Sequence, residues 1–265
     1  MRAAPLLLLA ACGVNETPQP APAPTLPSCV PDRDGQITAA ELPVVLGATI
    51  AYYASPAGAT RAINTSGATI WDLSEERADD TVIALGPIPV KAQWYAPSFP
   101  AGQFVVDAGA GLDGIYHQDD QALWLDGTAS HEAAPAAGKT LIRYPQPIAV
   151  LRFPVADGDA YTTTAQIPDG VAAGLPFIGT DQVDVDVTGG GRLDVPYVQF
   201  SPALRVRTSV TRKPSTGTPV VTRRTTIFLF ECFGEVARAE SRVDEPAPDF
   251  TTAAYLRRFA LGVTP

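Results

Sequence analysis

The sequence predicts a mostly β protein: an antiparallel sandwich or partial barrel with a short loop segment at its start and one short C-terminal helix. Two observations indicate this class. From about Ile50 onward, apolar and polar residues alternate in short runs, as they do on strands with one buried and one solvated face. Glycine, proline and aspartate separate the runs, as in turns between antiparallel strands. The hydrophobic content of 46% suffices for a buried core, so we expect a β-rich domain over 47–265.

Residues 1–11 have the layout of a secretory signal. Arg2 and the amino terminus provide positive charge, an apolar stretch follows, and small residues close it. At about 1.5 Å per residue the apolar stretch spans roughly 14 Å, against roughly 30 Å for the core of a bilayer. We therefore expect a signal peptide here and not a transmembrane helix.

The stretch Leu9-Ala10-Ala11-Cys12 resembles the lipobox of bacterial lipoproteins. The resemblance implies that the signal is cut before Cys12, that this cysteine is acylated, and that the membrane is a partner through the lipid anchor. Gly13, standing where an aspartate would retain the protein at the inner membrane, implies the outer membrane. Each buried CH₂ contributes about 0.8 kcal/mol, so more than one acyl chain makes such an anchor durable. The alternative is an ordinary cleaved signal followed by a chance cysteine.

The segment that follows the anchor, 12–28, consists largely of proline and small residues, and it is predicted to be a disordered, semi-extended tether. If Cys12 carries lipid, Cys29 and Cys232 remain as an even pair. Exported compartments are oxidising, so we expect a disulfide between them. The alternative is two buried thiols.

Region 29–46 opens with CVPDRDGQITAAEL, which resembles a calcium loop of the EF-hand or dockerin kind and is called here the calcium-loop segment (29–42). Ca²⁺ takes six to eight oxygens, and such a loop has glycine at its sixth position and a bidentate glutamate at its twelfth. With Gly35 at the sixth position, the resemblance implies as ligands Asp32, Asp34, Gln36 through its backbone carbonyl, Thr38 and Glu41. Val30 at the first position has no side-chain oxygen, and Pro43 shortens the outgoing helix. The alternative is a capped turn that binds no ion.

The rest of the chain is predicted to form strands. Two long alternating runs, 203–213 and 220–241, predict an antiparallel hairpin around Pro214 and Gly217. In 181–188, valines and aspartates alternate as on a half-buried strand. The other predicted strands are 48–55, 81–97 broken by Pro87 and Pro89, 103–108, 114–118, 122–127, 140–144 and 148–155.

One helix is predicted, over 249–260. Asp249 or Thr251 is suited to cap its start, and Arg257 and Arg258 lie in its last turn, where they would complement the helix dipole.

The region 110–240 resembles a group of uncharacterised bacterial lipoproteins. The resemblance lies in a strand that ends in Phe153-Pro154 with Gly158 after it, and in a later strand that reads LRVRT (Leu204–Thr208). It implies a β fold and no particular reaction.

Charge and residue patterns exclude several function classes. The chain carries 19 Lys and Arg against 28 Asp and Glu, and this acidic balance argues against nucleic acid as a partner. No pattern brings either histidine, His117 or His131, to a catalytic partner. The paired carboxylates Asp79-Asp80, Asp119-Asp120 and Asp184/Asp186 imitate glycosidase acids, but turn chemistry and solvated strand faces explain them better.

We therefore expect a non-enzymatic cell-envelope lipoprotein, with a binding or envelope-structural role, a structural Ca²⁺ site and an unidentified protein or small-molecule ligand. One alternative is a secreted polysaccharide hydrolase, which requires two carboxylates about 5–10 Å apart in a tryptophan-lined cleft. The other is an adhesion or scaffold module that docks through the calcium-loop segment.

Overall fold

A computed structural model describes residues 28–67, 69–218 and 220–263. The predicted signal peptide, the proposed lipidation site Cys12 and the tether up to residue 27 lie outside the described residues. In the described part of the chain, no helix is long and apolar enough to cross a membrane.

Eighteen strands and three short 3₁₀ helices make up the regular structure of the described ranges. The strands are β1 (Gln36–Ile37), β2 (Ile50–Ala54), β3 (Arg61–Ala62), β4 (Ile70–Asp72), β5 (Thr81–Leu85), β6 (Ile88–Pro89), β7 (Phe104–Gly109), β8 (Leu112–Gln118), β9 (Ala122–Ser130), β10 (Leu141–Arg152), β11 (Val155–Ala156), β12 (Ala160–Ala172), β13 (Leu175–Val195), β14 (Val198–Pro214), β15 (Val220–Phe230), β16 (Gly234–Glu240), β17 (Thr252–Ala253) and β18 (Tyr255–Phe259). The 3₁₀ helices are Ala39–Glu41, Val90–Ala92 and Ala96–Ser98.

One large sheet dominates the fold. Its strand order is β5-β2-β18-β16-β15-β14-β13-β12-β10-β9-β8-β7-β6, and β4 adds to β13 in parallel. The two ends of this path, β5 and β6, are joined by only Gly86 and Pro87, so the sheet bends round until its first and last strands are neighbours along the chain. The result is a sandwich-like antiparallel arrangement, which confirms the predicted fold class.

The longest strands follow the predicted alternation. Val183, Val185 and Val187 of β13 are buried, whereas Asp184 and Asp186 between them are partly exposed. β14 pairs with β15, which confirms the predicted hairpin around Pro214 and Gly217. Its second run, 220–241, is not one strand: the chain turns after Phe230 and returns as β16, antiparallel to β15. Because neighbouring side chains of a strand point to opposite faces, this alternation places the valines in the core.

Two of the three buried clusters among the described residues account for most of the core. One surrounds Trp71, which is fully buried, and includes Phe228. The other joins the inward faces of β10, β12, β13 and β14, and Ile37 from the calcium-loop segment packs into it. The calcium-loop segment is therefore part of the same packed body as the sheet.

The predicted C-terminal helix over 249–260 is wrong, because this segment forms β17 and β18. β18 lies between β16 and β2 and supplies hydrogen bonds to both. Arg257 and Arg258 are 5% and 1% exposed and form ion pairs within the fold, whereas the prediction placed them in the last turn of a helix, where they would complement its dipole. The backbone hydrogen bonds offered by the two open strand edges, on β16 and β2, thus outweigh the local helical preference of the segment.

Candidate metal centre

The calcium-loop segment has the tight turn that its glycine predicts. Arg33 and Gly35 adopt left-handed backbone conformations, with φ of 62° and 84°. Asp32 Oδ1 accepts a hydrogen bond from the amide of Asp34 at 3.0 Å, and Asp34 Oδ1 accepts one from the amide of Gln36 at 2.7 Å. These local bonds fold the chain back, and glycine tolerates the left-handed conformation without strain.

The second half of the segment is fastened to the sheet. Gln36 and Ile37 form β1 and pair with β11, and Ile37 is 2% exposed. The amide and the hydroxyl of Thr38 donate to Glu41 Oε2 at 2.9 and 2.8 Å. Gln118 of β8 donates through Nε2 to the carbonyl oxygen of Ala39 at 3.1 Å. The segment is thus held by backbone pairing, apolar burial and side-chain hydrogen bonds.

The predicted disulfide is present between Cys29 and Cys232, whose Cα atoms lie 5.6 Å apart. Cys232 belongs to the turn between β15 and β16, and its amide donates to the carbonyl oxygen of Glu41 at 2.8 Å. The disulfide and this hydrogen bond bring the two ends of the calcium-loop segment to the same turn of the sheet.

Three carboxylates converge beside the disulfide, and we call Asp32, Glu41 and Glu231 the carboxylate cluster. One carboxylate oxygen from each lies within 4.8 Å of the others. Glu231 comes from the turn after β15 and is 2% exposed, and its Oε2 accepts a hydrogen bond from the amide of Arg33 at 2.8 Å. Two ligand oxygens on opposite sides of one Ca²⁺ are at most about 5 Å apart, so this spacing suits a single ion.

The structure brings together two of the five predicted ligand residues. Asp32 and Glu41 belong to the carboxylate cluster. Asp34 instead closes a local turn, Gln36 pairs with Ala156, and Thr38 donates to Glu41. The prediction missed Glu231, whose only sequence signal is an acidic residue next to Cys232 at the end of the apolar run IFLF.

The chemistry of the carboxylate cluster fits a hard divalent cation. None of its three members forms an ion pair with lysine, arginine or histidine in the described part of the chain. Within the same ranges, each carboxylate has one oxygen that accepts no hydrogen bond. All-oxygen, anionic ligand sets suit Ca²⁺ or Mg²⁺ rather than softer metals.

Both histidines have carboxylate partners that the sequence did not indicate. His117 Nδ1 lies 2.9 Å from Asp126 Oδ1, and the imidazole stacks against Trp124. His131 Nε2 lies 3.1 Å from Asp113 Oδ1, and Tyr95 donates to the other oxygen of Asp113 at 2.6 Å. Burial raises the pKa of both Asp113 and Asp126.

Five of the six acids in the pairs considered as glycosidase acids form structural contacts. Asp79 and Asp80 are paired with arginines, Asp119 accepts two backbone amides of its own turn, and Asp186 pairs with Arg207. Asp184 accepts a hydrogen bond from Thr162 at 2.7 Å.

Two neighbouring surface clefts share Arg77 and Arg258 in their walls. The larger has a volume of about 340 Å³ and is lined by apolar residues together with Asn64, Asp72 and Ser74. The smaller has about 80 Å³ and includes Tyr197. Neither is lined by tryptophan, which the hydrolase alternative requires.

Comparison of the chain with protein-family models, with curated proteins and with solved structures finds no match.

Proposed function

We propose that the protein is an exported lipoprotein of the bacterial cell envelope, anchored to the outer membrane through Cys12, with a non-enzymatic binding or structural role. The observation that carries this proposal is the Cys29–Cys232 disulfide. Structural disulfides form and persist in oxidising compartments and are rare in the cytosol. The disulfide agrees with the export signal that residues 1–12 resemble.

The position of the disulfide suits a tethered protein. Cys29 directly follows the tether, and Cys232 lies between two central strands of the large sheet. A force on the tether is therefore transmitted through a covalent bond to the sheet, and it does not detach residues 30–46 from the sheet. In this arrangement the acyl chains hold the protein at the membrane, and the disulfide holds the folded domain to its tether.

The larger cleft supports a binding role. Its volume of about 340 Å³ falls within the range of small-molecule sites, and Asn64, Asp72 and Arg77 offer polar groups in a partly apolar lining. A polar small molecule or the side chains of a protein partner would suit this lining. For the calcium-loop segment we propose Ca²⁺ as a structural ion, with Asp32 and Glu41 as ligands.

The proposal is tested by intact-mass spectrometry of the protein extracted from native membranes. We expect a chain that begins at Cys12, carries acyl groups and lacks two hydrogens for the Cys29–Cys232 bond. A Cys12→Ser variant is the matched control, because it loses acylation and membrane association but keeps the disulfide. A water-soluble native protein with an unmodified Cys12 thiol would contradict the lipid anchor, and free thiols at both other cysteines would contradict export.

A further inference from the structure

Glu231 is a buried acid that forms no ion pair with any of the described residues. The residue is 2% exposed, and within the same ranges the amide of Arg33 is its one hydrogen-bond donor. An isolated carboxylate taken out of water is strongly disfavoured, so buried charges are normally paired or coordinate metals. Asp32 and Glu41 place two more carboxylates within 4.8 Å of it, and like charges at this distance further disfavour the ionised form.

Glu231 also stands where the calcium-loop segment is deficient. Val30, at the first position, has no side-chain oxygen to offer. Glu231, in the turn after β15, accepts a hydrogen bond from the amide of Arg33, which lies 198 residues earlier in the chain and inside the loop. The turn after β15 thus brings a further carboxylate to a loop whose first position lacks one.

We propose that Glu231 is a ligand of a Ca²⁺ site that bridges the calcium-loop segment and the β15–β16 turn, with Asp32 and Glu41 as the other carboxylate ligands. This inference rests on the calcium role proposed above and is independent of the lipid anchor. Three carboxylates carry more negative charge than a divalent ion carries positive charge, and such a set of anionic oxygen ligands favours a hard cation. Cys29 and Cys232, the cysteines of the described ranges, are joined in the disulfide, so neither offers a thiolate that would favour a softer metal.

The disulfide organises this site. Cys232 is adjacent to Glu231, and Cys29 lies three residues before Asp32, so the bond holds both ligand-bearing segments together before an ion arrives. A preorganised site loses less entropy on binding. By thermodynamic linkage, an ion that binds more tightly to the disulfide-closed form must also stabilise that form.

Calorimetric titration of the mature, oxidised full-length protein in detergent with Ca²⁺ tests the assignment. We expect Glu231→Gln to weaken Ca²⁺ binding by about tenfold or more, because the variant lacks an anionic ligand. Asp34→Asn is the matched control, since Asp34 belongs to the loop pattern but not to the carboxylate cluster, and we expect it to bind Ca²⁺ nearly as the unmodified protein does.

Thermal melting separates a ligand from a merely structural residue. In the presence of chelator, Glu231→Gln is expected to melt at the same or a higher temperature than the unmodified protein, because an uncompensated buried charge has been removed. With Ca²⁺ the order reverses. If Glu231 served only to accept the Arg33 amide, a role that the amide oxygen of glutamine can share, the difference in melting temperature between the two proteins would be the same with chelator and with Ca²⁺, and the inference would be overturned.

The remaining outcomes are distinguishable. Normal Ca²⁺ binding by Glu231→Gln would overturn this inference but leave Ca²⁺ in the loop. A lack of Ca²⁺ binding by the unmodified protein at millimolar concentration would overturn both, and the acylation of Cys12 would be untouched by either result.

The linkage between Ca²⁺ binding and the disulfide is tested by the rate at which a thiol reductant opens the Cys29–Cys232 bond. We expect Ca²⁺ to slow this rate in the unmodified protein and not in Glu231→Gln. Equal rates with and without Ca²⁺ in the unmodified protein would refute the linkage.

Discussion

At the scale of single residues, Glu235 shows how this fold stabilises a buried ionised side chain. Arg238 donates to both its carboxylate oxygens, and Arg257 donates to one of them at 2.8 Å through Nε. Burial alone would raise the pKa of Glu235, but the two guanidinium groups outweigh it and lower the pKa from its usual 4.5 to about 2. The ionised form is therefore stabilised by folding.

The Glu235→Gln substitution is expected to lower the free energy of unfolding by about 3 kcal/mol at pH 7, since each pKa unit corresponds to about 1.4 kcal/mol. A depressed carboxyl pKa contributes stability that is complete above about 4.5 and is lost as pH falls toward about 2. Urea unfolding of both proteins from pH 7 down to pH 3 measures the difference, which should shrink with acid. Glu75→Gln, at a 69% exposed side chain, is the control and should change stability by less than about 0.5 kcal/mol. A pH-independent difference would contradict the pairing.

The candidate site was predictable from the sequence only where its residues share one loop. Asp32 and Glu41 follow from their spacing to Gly35, because a tight turn brings nearby residues together. Glu231 could not be found in this way, since its approach depends on the pairing of distant strands and on the disulfide. Asp34 and Thr38 fit the pattern but are used in local hydrogen bonds.

At the scale of elements, β4 shows how a short strand is locked to a long one. β4 runs parallel to the end of β13, and Trp71 lies over Gly191. A Cβ at Gly191 would come within 2.2 Å of Cη2 of the Trp71 ring, so no larger residue fits while the indole is in place. The absence of a side chain at Gly191 therefore makes room for the buried tryptophan.

The Gly191→Ala substitution is expected to lower the free energy of unfolding by about 1–3 kcal/mol, the usual effect of overpacking a filled core. The close contact involves the outer ring of the indole, which phenylalanine lacks. In a double-mutant cycle with Trp71→Phe, the cost of the added methyl should fall. Strictly additive losses, measured by denaturant unfolding, would show that the two residues do not interact.

Elements with a clear period were predictable, and those defined by their neighbours were not. The valines of β13 and the alternating run of β14 identify strands because one face of each is buried. The segment 249–260 has no such alternation, and β18 exists because β16 and β2 leave two edges to be paired. Pro87 did mark the break between β5 and β6, and Pro89 is the last residue of β6.

For the whole molecule, the disulfide closes a loop of 203 residues in sequence. In the chain-entropy model a loop of this length stabilises the folded state by roughly 5 kcal/mol. We therefore expect reduction to lower the free energy of unfolding by up to about 5 kcal/mol, a large part of the stability of an ordinary domain. Urea unfolding with and without reductant measures this change, with Cys12→Ser as a control that keeps the bond. An unchanged unfolding midpoint after complete reduction would contradict a fastening role.

The sequence indicates that the whole molecule is mostly β, but it does not indicate the closure of the large sheet, by which we mean that the sheet bends until its end strands, β5 and β6, follow one another along the chain. Alternating runs and turn residues establish that strands exist, whereas their order along the sheet depends on which long-range pairings bury the most surface. The same closure brings the turn after β15 to the calcium-loop segment. The candidate site is therefore a property of the complete fold.

The central claim, that a cation joins the calcium-loop segment to the sheet through Glu231, is tested most directly by an anomalous difference map from crystals grown with Ca²⁺. The map should show one peak about 2.3–2.6 Å from carboxylate oxygens of Asp32, Glu41 and Glu231. A peak bound by the loop residues with Glu231 turned away, or a map without a peak beside an intact disulfide, would contradict it.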